Sequence, residues 1–253
     1  MKKINLKNSH LYEGKNNSEG IRSIAGMGED IVIERMLEQM NISSGVIVDV
    51  GSWDGWHLSN VGLLLNRGFS GLMIEGDSNR VLESKNRWSD RNDIDHRDVF
   101  VDFEDNGIDS LIENSSISIP NDFEIFNLDI DSYDFWVWKS LTYKPKIVCV
   151  EHSGHNIDYD RTIPIKKEWA YSVTHTNYGA SAKSLYRLGT HKGYILVSAS
   201  RHNLIFCDSK YSDLFESIDG IDVDWFKNIL GVSPGSGRVH RSDEHYSYNP
   251  EVS

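Results

Sequence analysis

Two cysteines, Cys149 and Cys207, are the only thiols in 253 residues. Both sit in apolar, strand-like runs ("KIVCVE" and "LIFCD"), which predicts buried free thiols rather than a disulfide or a ligand pair. Positive charge is also scarce. Lys and Arg number 26 against 38 Asp and Glu, for a formal net charge of −12. A general nucleic-acid binder needs a basic footprint, so that class is set aside. A small anionic substrate is not excluded, because local charge decides its binding. No apolar run approaches the length that spans a bilayer, so no membrane partner is expected. The opening "MKKINLKNSH" has lysines with no apolar stretch behind them, which predicts no secretory signal and a cytoplasmic location. Three nucleotide-binding signatures are missing too: G-x-G-x-x-G, the Walker phosphate loop, and a tyrosine four residues before a lysine.

Against these absences, "VIVDVGSWDGWHLSN" (residues 46–60) stands out. It reads as a buried strand over 46–50 that stops at Gly51, then a tight turn with a second glycine, Gly55, and a helix starting near His57. Glycines there allow backbone conformations closed to other residues and let a ligand approach the main chain. From this point strand and helix signals alternate. Strands are expected at 46–50, 71–75, 98–103, 124–129, 146–151, 194–199 and 203–207. Helices are expected at 28–40, 57–67, 78–87, 107–114, 133–140, 180–191 and near 212–218. The pattern predicts a single α/β domain over 1–253: a Rossmann-like, seven-stranded, mostly parallel sheet with helices on both faces and a C-terminal antiparallel hairpin. Residues 1–26 read as a loosely held arm, and the Gly/Ser/His-rich 231–253 as a surface tail.

The missing signatures narrow the ligand. An acid at the end of the first strand (Asp49), a G-x-x-x-G turn and an acid ending the second strand (Glu75) suit an amino acid moiety, a ribose diol and no pyrophosphate. Asp49 can accept from an ammonium directly or through water, and Glu75 can take both ribose hydroxyls. S-adenosylmethionine has those parts.

The blocks "DVGSWDGWHLSN", "GFSGLMIEGD", "LDIDSYDFWVW", "KPKIVCVEH" and "GASAKSLYRLGTHKGYILV" resemble, in that order, methyltransferases related to the FkbM-like O-methyltransferases. The likeness spans roughly residues 46–207. It departs at Asp131-Ser132, where relatives have Asp-Gly, and at "EHSGHN", where they have E-Y-N-P. The resemblance implies methyl transfer from S-adenosylmethionine to oxygen. It also implies a sugar hydroxyl as acceptor, on a nucleotide-activated sugar or a surface-polysaccharide precursor.

Gly51 and Gly55 are expected to shape the cofactor turn, with Trp53 and Trp56 either covering the ligand or packing. Gly76 can bring its backbone to the adenosine, beside Asp77. Asp102 is a candidate neighbour of the adenine amino group. Asp129 ends the fourth strand, where a transferred methyl would sit. Methyl transfer is an in-line displacement, so the protein must align the nucleophile and take its proton. His152 or His155 could be that base. Alternatively Asp129, Asp131, Glu151 and His152 could hold Mg²⁺ or Mn²⁺. His57 and His175 are further candidates for the acceptor cleft, and Trp136 and Trp138 read as core. Asp129-Ile-Asp131 is also the short motif of metal-dependent glycosyltransferases, a competing reading; a binding protein without turnover is a third. Oligomeric state is left open, a homo-oligomer included.

Overall fold

The apolar run at 46–50 forms the central strand of the sheet. The computed structural model describes residues 2–102, 107–153, 162 and 179–221. The strands are β1 (Val46–Val50), β2 (Ser70–Glu75), β3 (Ile94–Asp98), β4 (Ile125–Leu128), β5 (Ile147–Glu151), β6 (Tyr194–Ala199) and β7 (Asn203–Asp208). They form one seven-stranded sheet in the order β3-β2-β1-β4-β5-β7-β6. β1 to β5 pair in parallel, and β7 lies antiparallel between β5 and β6. The expected Rossmann-like α/β fold with a C-terminal antiparallel hairpin is therefore observed.

Strand alternation sends side chains to two cores. Val48, Val50, Ile74, Phe126, Val148 and Phe206 face one side. There α4 (Ile108–Glu113), α5 (Asp134–Ser140) and α6 (Ala182–His191) cover them. Ile47, Met73, Ile125, Ile147 and Ile205 face the other. That side carries α1 (Glu29–Gln39), α2 (Gly62–Asn66) and the C-terminal end of α3 (Ser78–Arg87). Cys149 and Cys207 are buried and free, as expected. Trp138 is fully buried and Trp136 packs against the same core, also as expected. No described helix is long and apolar enough to cross a membrane.

Four expectations need correction. The described part of the N-terminal arm is docked: Leu6 is 3% exposed, and Ile4 and Asn8 bridge to Phe215 and Ala199. Short polar side chains do the holding, with Asp30 accepting from Ser23 Oγ and the amides of Ile24 and Ala25. The helix expected from residue 57 begins at Gly62, the preceding residues being held in a turn in which Ser59 Oγ accepts from the amides of Val61 and Gly62. β3 is the polar run "IDHRD" rather than 98–103. It is an edge strand whose place is set by pairing with β2, not by hydrophobicity. No helix forms near 212–218, where Phe215 is instead buried in the second core and the Ile218 amide bonds to Leu196 O. The segment 231–253 lies outside the described residues.

Candidate active site

Strand order reverses between β1 and β4, and in open α/β sheets such a reversal leaves a crevice at the carboxyl ends of the strands. The turn after β1 fills one side of it. The amides of Gly51 and Ser52 both donate to Ile74 O, at 2.9 and 3.1 Å. Gly51 has φ +80°, and a Cβ there would lie 1.7 Å from Asp129 O. No other residue fits. Gly55, at φ +71°, lies against Ser84 Oγ and the Trp88 indole nitrogen, which a Cβ would approach to 2.8 and 2.9 Å. Between them Asp54 Oδ1 accepts from the amides of Trp56 and His57. These two backbone bonds, with Arg87 nearby, hold the Asp54 carboxyl below its usual range despite some burial.

Glu75 ends β2 and ties this turn to the next. Its Oε2 accepts from the Trp53 amide at 2.9 Å and its Oε1 from the Asp77 amide at 2.8 Å. A carboxylate has about four lone-pair sites, so each oxygen keeps one for a ligand. Trp53 is held at φ +49° and stays 43% exposed, with the Arg80 guanidinium 4.2 Å from its ring centroid. Trp56 instead packs near Trp88 at 6.3 Å. Asp77 caps α3 by accepting from the Asn79 amide, and Gly76 lies under the Phe100 ring, which a Cβ would meet at 2.4 Å. Asp49 sits beneath the turn rather than in its mouth. It is 1% exposed and its Oδ1 accepts from Asn127 Nδ2 at 2.7 Å. Asn60 Nδ2 donates in turn to Asn127 Oδ1 at 3.1 Å, pinning the far end of the loop to the sheet. Burial pushes the Asp49 carboxyl up to about 7.

Across the crevice, Asp129, Asp131 and Glu151 each present a carboxylate oxygen within 4.8 Å of the others, with Asp131 the most open. Asp131 takes a left-handed conformation, φ +57°. Asp134 shapes that loop, its two oxygens accepting from the amides of Ile130 and Ser132 at 2.9 and 3.0 Å. Burial and then the neighbouring Asp131 charge raise Asp129 to about 6. Burial and Asp129 raise Asp134 to about 8. Glu151 is driven well above the carboxylate range by burial and by Asp129, Asp134 and Asp131. It hydrogen-bonds Asp129, a pairing that favours keeping one of the two carboxyls protonated.

His152 does not join the three carboxylates as the sequence suggested. Its Nε2 donates to Ser200 O at 3.1 Å, and burial depresses its pKa to about 4. The residue after Glu151 leaves the strand toward the opposite face, which separates the two side chains. His57 is exposed on the turn, and Asp102 is half-buried beyond β3. His155 and His175 lie outside the described residues. Several contributors were missed, Asp134, Asn127 and Asn60 among them. Glu29, 1% exposed at the start of α1, accepts from Asn203 Nδ2 at 3.1 Å and adds its charge to the field on Asp129. In sequence it is one acid of an amphipathic helix, with nothing to point it at β4. Phe100 is 76% exposed beside Gly76, and its signal was an aromatic in the run mistaken for a strand.

No family model and no curated protein matches the chain. Solved structures it is similar to include the N-terminal domain of EvdMO1 with SAH bound, at 12% identity and a TM-score of 0.43, over 74% of this chain and 87% of that one. Another is a ribosomal protein L11 methylase from Lactobacillus delbrueckii subsp. bulgaricus, at 12% identity and a TM-score of 0.41, over 72% and 80%. A third is monomeric WbdD, at 10% identity and a TM-score of 0.46, over 76% of this chain and 43% of that one. At these identities and TM-scores, no property of those proteins transfers to this chain.

Proposed function

We propose that the chain transfers a methyl group from S-adenosylmethionine to a hydroxyl oxygen, the acceptor being a sugar carried on a nucleotide. One observation carries the reading. A glycine turn closed by the Glu75 carboxylate faces a three-carboxylate cluster across the switch point of the sheet.

The turn fits the cofactor. Glu75 keeps lone pairs for a ribose diol, and the φ values of Gly51 and Gly55 bare the backbone beside it. Trp53 and Phe100, both exposed, flank Glu75 and Gly76 where a planar base would stack. Bound S-adenosylmethionine supplies an electrophilic methyl on a sulfonium. The acceptor oxygen takes that carbon as the carbon–sulfur bond breaks, the electron pair leaving on sulfur and the hydroxyl proton going to a base. Asp129, raised to about 6, is a stronger base than an ordinary carboxylate. His152, at about 4 and committed to Ser200 O, is a weak one.

An all-oxygen donor set with this density of negative charge also fits Mg²⁺ or Mn²⁺. Asp129, Asp131 and Glu151 would hold the ion, which would lower the pKa of a bound hydroxyl. The same cluster suits the glycosyltransferase reading, which predicts nucleotide-sugar hydrolysis and no affinity for the methyl donor. Calorimetric titration with S-adenosylhomocysteine separates the two. Binding is expected; its absence in a folded chain removes methyl transfer. Binding with no turnover on any sugar panel would leave a non-catalytic binding protein.

A further inference from the structure

A cavity of about 620 Å³ opens between the N-terminal arm and the loop beyond the cofactor turn, lined by Leu11, Lys15, Arg22, Ala25 and Leu58 among others. Its walls combine apolar and charged groups, with the cations Lys15 and Arg22 set against the single carboxylate of Glu13. Leu11 and Leu58 are 67% and 60% exposed. Among the described residues Lys15 and Arg22 are in no ion pair, whereas His10 on the same wall faces Glu13 at 3.8 Å.

The cations stand on an ordered scaffold. Asn16 and Arg22 bridge antiparallel, the Ser23 amide donates to Lys15 O at 2.8 Å, and the Asn17 amide donates to Ile21 O at 2.7 Å. Buried Asn17 closes the hairpin by accepting from the amides of Glu19 and Ile21. Ala25 bridges Leu58 directly, which joins the cavity wall to the loop that follows the cofactor turn.

We propose that this cavity binds the phosphate-bearing part of the acceptor. The guanidinium of Arg22 and the ammonium of Lys15 take phosphate oxygens, and Leu11 and Leu58 cover the apolar face of what carries them. The inference rests on the acceptor reading above and adds the anionic handle. The division of labour is electrostatic: the carboxylate cluster repels a phosphate, so an anionic acceptor is held by the basic arm and offers only its hydroxyl to the acids.

The test is titration of the full chain, in EDTA, with inorganic pyrophosphate and with uridine 5′-diphosphate, for wild type and for the double variant Lys15→Glu, Arg22→Glu. Both positions are exposed, so the variant should keep the wild-type melting temperature and its affinity for S-adenosylhomocysteine. Pyrophosphate binding should weaken by at least about tenfold, the scale of losing two charge-assisted contacts, and should weaken in wild type as salt is raised. Tighter binding of the nucleotide than of pyrophosphate would assign the carrier to the leucine wall. Equal pyrophosphate affinity in wild type and variant overturns the proposal. So does a chain that binds S-adenosylhomocysteine but no phosphate probe, an outcome that leaves methyl transfer standing. A chain that binds neither overturns both.

Discussion

The two sides of the crevice are built on opposite principles. The β1–β2 side is organised by backbone: glycine conformations and amides donated to Ile74 O and Glu75 leave its geometry complete without a ligand. The β4–β5 side is organised by charge. Asp129, Asp131 and Glu151 are crowded together with Asp134 and Glu29 close by, and their ionisation is suppressed by burial and mutual repulsion. A site of the first kind waits for a ligand that fits. A site of the second kind needs protons or a cation, and so senses pH and metal.

The largest expected effect comes where the two sides touch. Gly51→Ala would drive its Cβ into Asp129 O, 1.7 Å away, at a positive φ. A loss of more than about 3 kcal/mol of stability is expected, from strain plus displacement of a packed strand end. Urea unfolding measures it, and a loss under about 1 kcal/mol would mean that the two sides are not in contact as described.

Asp129→Asn should separate them. If Asp129 takes the acceptor proton or helps hold an ion, turnover on an accepted sugar should fall roughly 10²–10⁴-fold. S-adenosylhomocysteine affinity should stay close to wild type, since no bond joins the Asp129 side chain to the Gly51–Gly55 turn. Removing divalent ions should mimic the variant, and Mg²⁺ or Mn²⁺ should restore the rate. Full activity in EDTA with metal-free reagents would leave the carboxylate base alone. The converse change is Glu75→Ala, expected to weaken cofactor binding by roughly 1–3 kcal/mol, the scale of lost charge-assisted hydrogen bonds. Unchanged affinity in a folded Glu75→Ala protein would remove Glu75 from the ribose role.

The smallest effect is thermodynamic and concerns one buried acid on each side. Asp134 and Asp49 are raised to about 8 and about 7 from 3.8. Between those values the folded chain holds more protons than the unfolded one, so stability falls as pH rises through the folded values. His152, depressed from 6.5 to about 4, acts oppositely but only below its unfolded value. The acids are therefore isolated between about pH 6.5 and 8, where the melting temperature in EDTA should drop by several degrees. A divalent ion bound only by the folded state should recover more of that loss at the upper end than at the lower. A melting temperature that is flat or rising across the window would contradict the buried ionisations.

How much of this was readable follows the same division. Gly51, Gly55 and Glu75 were legible because a strand, a turn and a second strand are local patterns, and the turn chemistry is carried by residue types within a short stretch. Asp129, Asp131 and Glu151 were legible as strand-end acids, but their departure from ordinary carboxylate behaviour was not, since burial and repulsion arise only when β4, β5 and α1 are assembled. The error at β3 has a like cause. An edge strand as polar as "IDHRD" is specified by the neighbour it pairs with.

By itself, then, the sequence determined the alternating strands and helices, the parallel sheet with its returning hairpin, and the turn that only glycine can make. These depend on hydrophobic periodicity and backbone conformation, both properties of contiguous residues. Only the tertiary structure decided that His152 turns away to Ser200 O, that Glu29 joins the field on Asp129, and that the described arm closes over the second core. Each of these depends on groups far apart in the chain, and contacts of that kind exist only once the sheet has set their distances.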